Sequence, residues 1–207
     1  MITVHHLENS RSQRILWLLE ELQLPYTIKR YARDPRTMLA PKELRRVHPL
    51  GKSPVIEDDG LIVAESGAIV EYLVEKAGGR LGPPADRCGK LQYRMFLHYA
   101  EGSLMPPLLA ILVVKRLGLL GRPARKPLLA MFGRHLEWCD AELGARPWFA
   151  GQEMTAADIM MSFPLEAARK RAGLTPEYHH LFEWLQRIHE RPAYQAALKV
   201  GGPYDYA

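Results

Sequence analysis

The stretch HPLGKSPVIEDDGLIVAESGAI, residues 48–69, constrains this chain more than any other. It sets a Ser-Pro dipeptide before an apolar run, then an acidic turn ending in glycine, a second short apolar run, and Glu65-Ser66 ahead of helical spacing. PVIE and LIVA, joined through Asp58, Asp59 and Gly60, predict a hairpin. Pro54 has no N–H to give to a ladder, so it implies an edge, a bulge or a cis bond. A cis bond would turn the Ser53 backbone groups out of the sheet, where an extended peptide-like ligand pairs with them. A few residues on, the Glu65 carboxylate, the Ser66 hydroxyl and the free N–H groups of a helix start converge. Such a place holds an amine and a carboxylate together. The segment reads as a socket for a small zwitterionic peptide.

The flanking sequence supplies the rest of a domain. ITVH (2–5) predicts a strand, and Ile15, Leu18, Leu19 and Leu22 recur at helical spacing over about 11–23, with Pro25 as the stop. YTIKRY (26–31) reads as a second strand and PKELRRV (41–47) as a short helix with proline at its first position. Ile69, Tyr72 and Leu73 mark a helix that ends at Gly78-Gly79. The order βαβ-α-ββα is that of an α/β thioredoxin-like N-terminal domain over residues 1–79. Residues 80–88 (RLGPPADRC) are a linker, and 89–207 read as an all-α helical C-terminal domain. Its helices are expected at 88–117, 124–143, 156–171, 178–190 and 193–199, with Gly102, Pro106 and Pro107 kinking the first. Thr155-Ala156-Ala157-Asp158 spells a capping box, and Met154 with Ile159 has the spacing of a hydrophobic staple. Those two polar residues read as structural, worth about 0.5–2 kcal/mol each.

Composition removes several function classes. No apolar run approaches the ~18 residues of a membrane span, and LMPPLLAILVV (104–114) is broken by two prolines. The N-terminus enters a strand pattern at once, without the basic and apolar regions of a signal peptide. Cys88 and Cys139 fall outside any CxxC or zinc spacing, which suits a reducing, cytoplasmic setting. The eight histidines and Glu57-Asp58-Asp59 also lack ligand spacing, so no metal is expected. The formal charge of +5 gathers at Arg122–Lys126 and Arg169–Arg171, without interleaved stacking aromatics. Those clusters read as solvated surface, with neither nucleic acid nor membrane as a partner.

Four segments, HHLENSRSQRILWLLEEL, HPLGKSPVI, AESGAIVEYL and WFAGQEMTAADI, resemble the glutathione S-transferase superfamily, in order and over nearly the whole chain. They are similar to its catalytic loop with first helix, its cis-proline segment, its γ-glutamyl-binding turn and the capping motif of its helical domain. The first segment looks especially similar to serine-type fungal and bacterial members carrying HxLxxSRSxRxLWLLEEL. The resemblance implies glutathione as co-substrate, held by Ser53 and Pro54 at the cysteinyl part and by Glu65 and Ser66 at the γ-glutamyl end. Lys52 is the candidate for the glycyl carboxylate, with His48 and Lys42 as weaker ones. It also implies a homodimer, a basic surface that steers anionic glutathione, and a hydrophobic electrophile. The electrophile's pocket is expected between the catalytic loop and the kinked helix, lined by Leu7, Tyr99, Ser103 and Met105. The expected reaction is conjugation of the glutathione thiolate to that electrophile, with peroxidase activity as an extension. A glutathione-dependent isomerase and a non-catalytic glutathione-binding module are the alternatives.

A thiol with an ordinary pKa near 8.5 is less than about a tenth ionised at neutral pH, and the thiolate is the nucleophile. Lowering that pKa by one to two units takes roughly 1.4–2.7 kcal/mol, within reach of a hydroxyl donor at a helix N-terminus. Ser10 sits where that donor is wanted. Ser10-Arg11-Ser12-Gln13 is equally a capping box. Ser12 is the nearest rival for the catalytic role. His5 and His6 occupy the region where tyrosine-type relatives carry their tyrosine; as strand neighbours they face opposite ways, so at most one reaches the site. Arg14 is expected to brace the loop.

Overall fold

The structure, a computed structural model, describes residues 1–207. The chain forms two compact units, Met1–Gly82 together with Glu190–Asp205, and Pro83–His189.

The first unit opens with β1 (Ile2–Leu7), α1 (Ser12–Leu22) and β2 (Tyr26–Tyr31), continues through a 3-10 turn (Lys42–Arg46), and closes with β3 (Val55–Asp58), β4 (Leu61–Ala64) and α2 (Ser66–Lys76). The sheet order is β2-β1-β3-β4, with β1 and β2 parallel and the other pairs antiparallel. Pro54 therefore precedes an interior strand, and of the three readings its sequence allows, the bond is cis. Asp58 ends β3 instead of standing in the turn, and its buried carboxylate accepts from Lys76 Nζ and Tyr72 Oη at 2.7 Å each, tying α2 to the sheet. That lysine, with the tyrosine after it, holds the Asp58 carboxyl below the usual range.

The second unit carries α3 (Arg87–Tyr99), α4 (Met105–Arg116), α5 (Arg122–Ala145), α6 (Ala156–Arg171) and α7 (His179–His189). Between α3 and α4 lies a π-helical turn, Ala100–Leu104, in which the Met105 N–H reaches back to the Ala100 carbonyl. Pro106 and Pro107 follow directly, and the wider turn takes up the break left by their two missing N–H groups. The continuous run Arg87–Arg116 is long and apolar enough to cross a membrane by length and composition alone. Phe96, Leu97, Leu104 and Leu108 nevertheless bury its inner face in this unit's core.

The last helix, α8 (Pro192–Gly201), departs from the sequence reading, which assigns 89–207 to the helical domain; it packs with the first unit. Trp17 meets Tyr194 edge-on at 5.3 Å, and Arg191 grips Glu21 through Nε at 2.5 Å and Nη2 at 2.8 Å. Arg30 donates to the Val200 carbonyl, and Asn9 exchanges two hydrogen bonds with Asp205. With the sheet on one side and α8 on another, α1 buries Ile15 through Leu19 without a gap.

Candidate active site

The polar residues of the β1–α1 loop are chained together. Ser10 Oγ lies 2.8 Å from Ser12 Oγ, and Ser12 Oγ lies 2.9 Å from His6 Nδ1. His6 is buried, which depresses its pKa to about 4, so the ring is neutral at neutral pH. A neutral imidazole has one N–H, and the backbone of Gly201, close to the ring, favours a proton on that side. Nδ1 is then an acceptor, and the Ser12 hydroxyl has two acceptors for its one hydrogen, Nδ1 at 2.9 Å and the Leu7 carbonyl at 3.2 Å. Ser12 Oγ also accepts the Leu7 N–H at 3.2 Å. Ser12's hydrogen is thereby committed, whereas the hydrogen of Ser10 has only a neighbouring hydroxyl oxygen to satisfy.

Ser10 serves the start of α1 as well as this polar chain. Its oxygen accepts the Ser12 N–H at 3.2 Å, at the start of α1, while its hydrogen goes to Ser12 Oγ. The full capping box does not form: the Gln13 amide makes no hydrogen bond and never reaches back. Ser10 keeps 6% of its surface exposed and Ser12 none. His5 faces the other way, as strand alternation requires, with Nδ1 2.9 Å from the Tyr31 hydroxyl.

The loop is held by groups that the sequence reading missed. Arg33 donates from Nε to the Glu8 carbonyl at 3.1 Å and from Nη2 to the Asn9 carbonyl at 3.1 Å, and its N–H reaches Glu8 Oε1 at 2.8 Å. Arg14, expected to brace this loop, lies buried in α1. Neither Arg33 nor Gly201 has a local spacing that marks it, because each acts across a long stretch of chain.

The other candidates split by environment. Ser53 Oγ donates to the His5 carbonyl at 2.8 Å and accepts the Leu7 N–H at 3.3 Å, pinning the cis Ser53-Pro54 bond beside β1. Its own N–H and C=O take no part in the loop's backbone hydrogen bonds. Glu65 stands at φ 71 and ψ 125, a shape that side-chain-bearing residues rarely adopt and that clusters at ligand clamps. No side chain caps α2, so the amides of its first turn are uncommitted above the buried Ser66. Lys52 is exposed, as is Lys42, while His48 is half-buried. Leu7 packs with Tyr31 and Leu44 in the first unit's core.

In the second unit Tyr99 opens onto a cavity of about 390 Å³ between α3 and α5, with Met95, Met131, Arg134, His135 and Trp138. Its hydroxyl lies 2.5 Å from His135 Nδ1. Burial raises its pKa, so it stays protonated. Ser103 and Met105 do not line that cavity; Ser103 sits in the π-helical turn and Met105 is buried at the start of α4. At the head of α6, Asp158 is completely buried and accepts from Thr155 N–H (2.9 Å), Thr155 Oγ1 (3.2 Å), Phe149 N–H (3.0 Å) and Trp184 Nε1 (3.2 Å). The capping box is therefore half of a larger knot. No group of three His, Cys, Asp or Glu side chains is placed to hold a metal ion.

Comparison with known proteins places this arrangement. Residues 10–76 match the model of the glutathione S-transferase N-terminal domain, and 122–187 that of the C-terminal domain. Glutathione S-transferase 3 of Schizosaccharomyces pombe is 36% identical over 95% of this chain and 86% of its own, and glutathione S-transferase 1 of Saccharomyces cerevisiae is 32% identical over 95% and 94%. A glutathione S-transferase structure from Actinobacillus pleuropneumoniae superposes with a TM-score of 0.89 at 33% identity, covering 100% of this chain and 95% of its own. A Pseudomonas fluorescens family member, solved with two glutathione molecules bound, gives 0.80 at 25% identity over 95% and 92%. By sequence, by domain and by fold, this chain belongs to the glutathione S-transferase family.

Proposed function

We propose that the chain conjugates the thiolate of glutathione to a hydrophobic electrophile, with Ser10 donating a hydrogen bond to the sulfur. The observation that carries this reading is the Ser10 hydrogen at the mouth of α1, given only to a neighbouring hydroxyl oxygen, in a chain where that of Ser12 already has other acceptors. The tripeptide lies extended along the cis-proline segment: its cysteinyl backbone pairs with the unused N–H and C=O of Ser53. Its γ-glutamyl carboxylate takes the Ser66 hydroxyl and the first amides of α2, and its amine faces Glu65. Lys52 is the cation for the glycyl carboxylate. The bound glutathione of the Pseudomonas relative supports the ligand class.

With the tripeptide in place, the Ser10 hydroxyl swings from Ser12 Oγ to the sulfur, and Ser12 keeps its acceptor contact to Leu7 N–H. One charge-assisted hydrogen bond is worth about 1.5–3 kcal/mol, the size of a shift of one to two pKa units. The thiol gives its proton to solvent; the thiolate then attacks an electrophilic carbon, expelling its leaving group as an anion or adding across an activated double bond that solvent protonates, and Ser10 keeps its own proton throughout. Reduction of a hydroperoxide begins with the same thiolate. The chain works in the cytoplasm as a homodimer, a second copy covering the apolar residues Leu91 and Met95 beside the α3–α5 cavity.

The test is the ultraviolet absorbance of the thiolate of bound glutathione, followed against pH for wild type and Ser10→Ala. Thiolate forming at least about one pH unit below free glutathione, and losing that shift in the mutant, upholds the serine-type reading. Glutathione bound with an unshifted thiol would favour the non-catalytic module. Product analysis with an aryl halide, an organic hydroperoxide and a maleyl-type substrate separates transferase, peroxidase and isomerase.

A further inference from the structure

The turn between α4 and α5 exposes an unusual surface. Leu109, Val113 and Leu117 follow at four-residue intervals along the outer face of α4, and Leu119 and Leu120 stand beyond them at 73% and 85% exposure. Large apolar side chains gathered this way mark an interaction surface more often than chance exposure. Lys115, Arg116, Arg122, Arg125 and Lys126 ring the leucines, all exposed and none in an ion pair with a carboxylate. Between Glu101 and Glu137 the chain contains no acidic residue.

The turn is built, not loose. Leu117 N–H reaches the Val113 carbonyl at 3.1 Å, Gly121 N–H the Gly118 carbonyl at 3.2 Å, and Arg122 N–H the Leu119 carbonyl at 3.3 Å. Gly118 takes a left-handed φ of 58°, and a Cβ on Gly121 would lie 2.0 Å from the Val114 carbonyl oxygen. Two glycines thus fold the segment tightly enough to hold Leu119 and Leu120 outward before any partner arrives, which lowers the ordering cost of docking.

We propose that this turn docks the protein on an anionic lipid bilayer, the leucines entering the headgroup–acyl boundary and the five cations lying among the headgroups. Apolar tips ringed by Lys and Arg suit that boundary, because their charged ends stay in the polar layer. A second copy is the poorer occupant where the two turns would meet at the axis, since that would set ten unpaired cations against one another. Nucleic acid would leave the leucines unused. The proposal revises the sequence expectation of no membrane partner without calling for a span, and it is independent of the chemistry at Ser10.

Flotation of the full chain with phosphatidylcholine vesicles, with and without phosphatidylserine, tests it. Partition should rise about tenfold or more with the anionic lipid and fall away at high salt. The pair Leu119→Ser and Leu120→Ser, and separately the triple Arg122→Gln, Arg125→Gln and Lys126→Gln, should each lower partition by about tenfold or more, since each cation near an anionic surface counts severalfold. Circular dichroism and glutathione affinity should stay unchanged in both variants. Failure of the wild type to float, equal partition to both vesicles, or a variant that floats like wild type would overturn the proposal. So would a leucine variant that alters only the sedimentation mass, which would assign the surface to a second copy.

Discussion

The mouths of α1 and α6 are both polar clusters at helix N-termini, yet they are opposites in how far they are satisfied. At α6 four donors converge on one buried carboxylate, and no polar atom of Asp158 is left over. At α1 a polar chain runs from beside the Gly201 backbone through His6 and Ser12 to Ser10, whose hydrogen rests on a hydroxyl oxygen that a ligand can replace. A saturated cluster contributes stability and nothing else; one whose donor a ligand can redirect can bind. The same reading separates them electrostatically. Burial raises Asp158 to about 6, against its four donors, and lowers His6 to about 4.

The contrast breaks most easily at α6. Asp158→Ala leaves two backbone N–H groups and the Trp184 indole N–H without an acceptor, and should lower unfolding free energy by about 3–5 kcal/mol in a urea titration. The affinity for glutathione per folded molecule should not move; a parallel loss would mean that the α6 cluster reaches the site after all.

The next effect is read against pH. His6 binds a proton less readily folded than its ordinary 6.5, so stability is present above 6.5 and is lost as pH falls towards 4. Asp158 holds its proton more tightly folded than its ordinary 3.8, so stability is present below that value and is lost as pH rises through 6. Each contributes about 3 kcal/mol, in opposite senses over one window. His6→Phe should therefore flatten the acid side of the stability profile, and Asp158→Asn the rise in stability on acidification. Unchanged profiles in both variants would deny the burial argument.

Smaller again is Ser10→Ala. It should raise the pKa of bound glutathione by one to two units, about 1.4–2.7 kcal/mol, while shifting unfolding free energy by less than Asp158→Ala does. Ser12→Ala, which removes the acceptor but not the donor, should leave most of the thiol shift; losing all of it would exchange the roles of the two serines. Last comes Thr155→Ala, at about 1 kcal/mol of stability with no change in thiol pKa.

What the sequence discloses of this molecule is local. The strands of the first unit, the stop at Pro25, the Gly60 turn and the Thr155 box were legible because each is set by residues within a few positions of one another. Ser10, Ser53 and Ser66 were legible as candidates through the short segments that carry them. The second unit's kink was legible from its prolines, though not its π-helical form. Hidden were the contacts closed over long distances: Arg33 on the Glu8 and Asn9 carbonyls, Trp184 and Phe149 on Asp158, and Gly201 on His6. Such contacts leave no spacing behind, because a hydrogen bond to a backbone carbonyl does not depend on which residue owns it. The packing of Leu7 on Leu44 was hidden for a related reason: an apolar residue at a strand end looks the same whatever it faces.

The return of α8 has a consequence for synthesis. Residues 190–205 complete the first unit, yet residues 83–189 must leave the ribosome before them. Until then α1 lacks Tyr194 against Trp17 and Arg191 against Glu21, and the His6 ring lacks the Gly201 backbone. Domains usually mature in the order in which they are made. Here the first to emerge is the last to be finished, and the surroundings of His6 are complete only when the nascent chain has delivered Gly201.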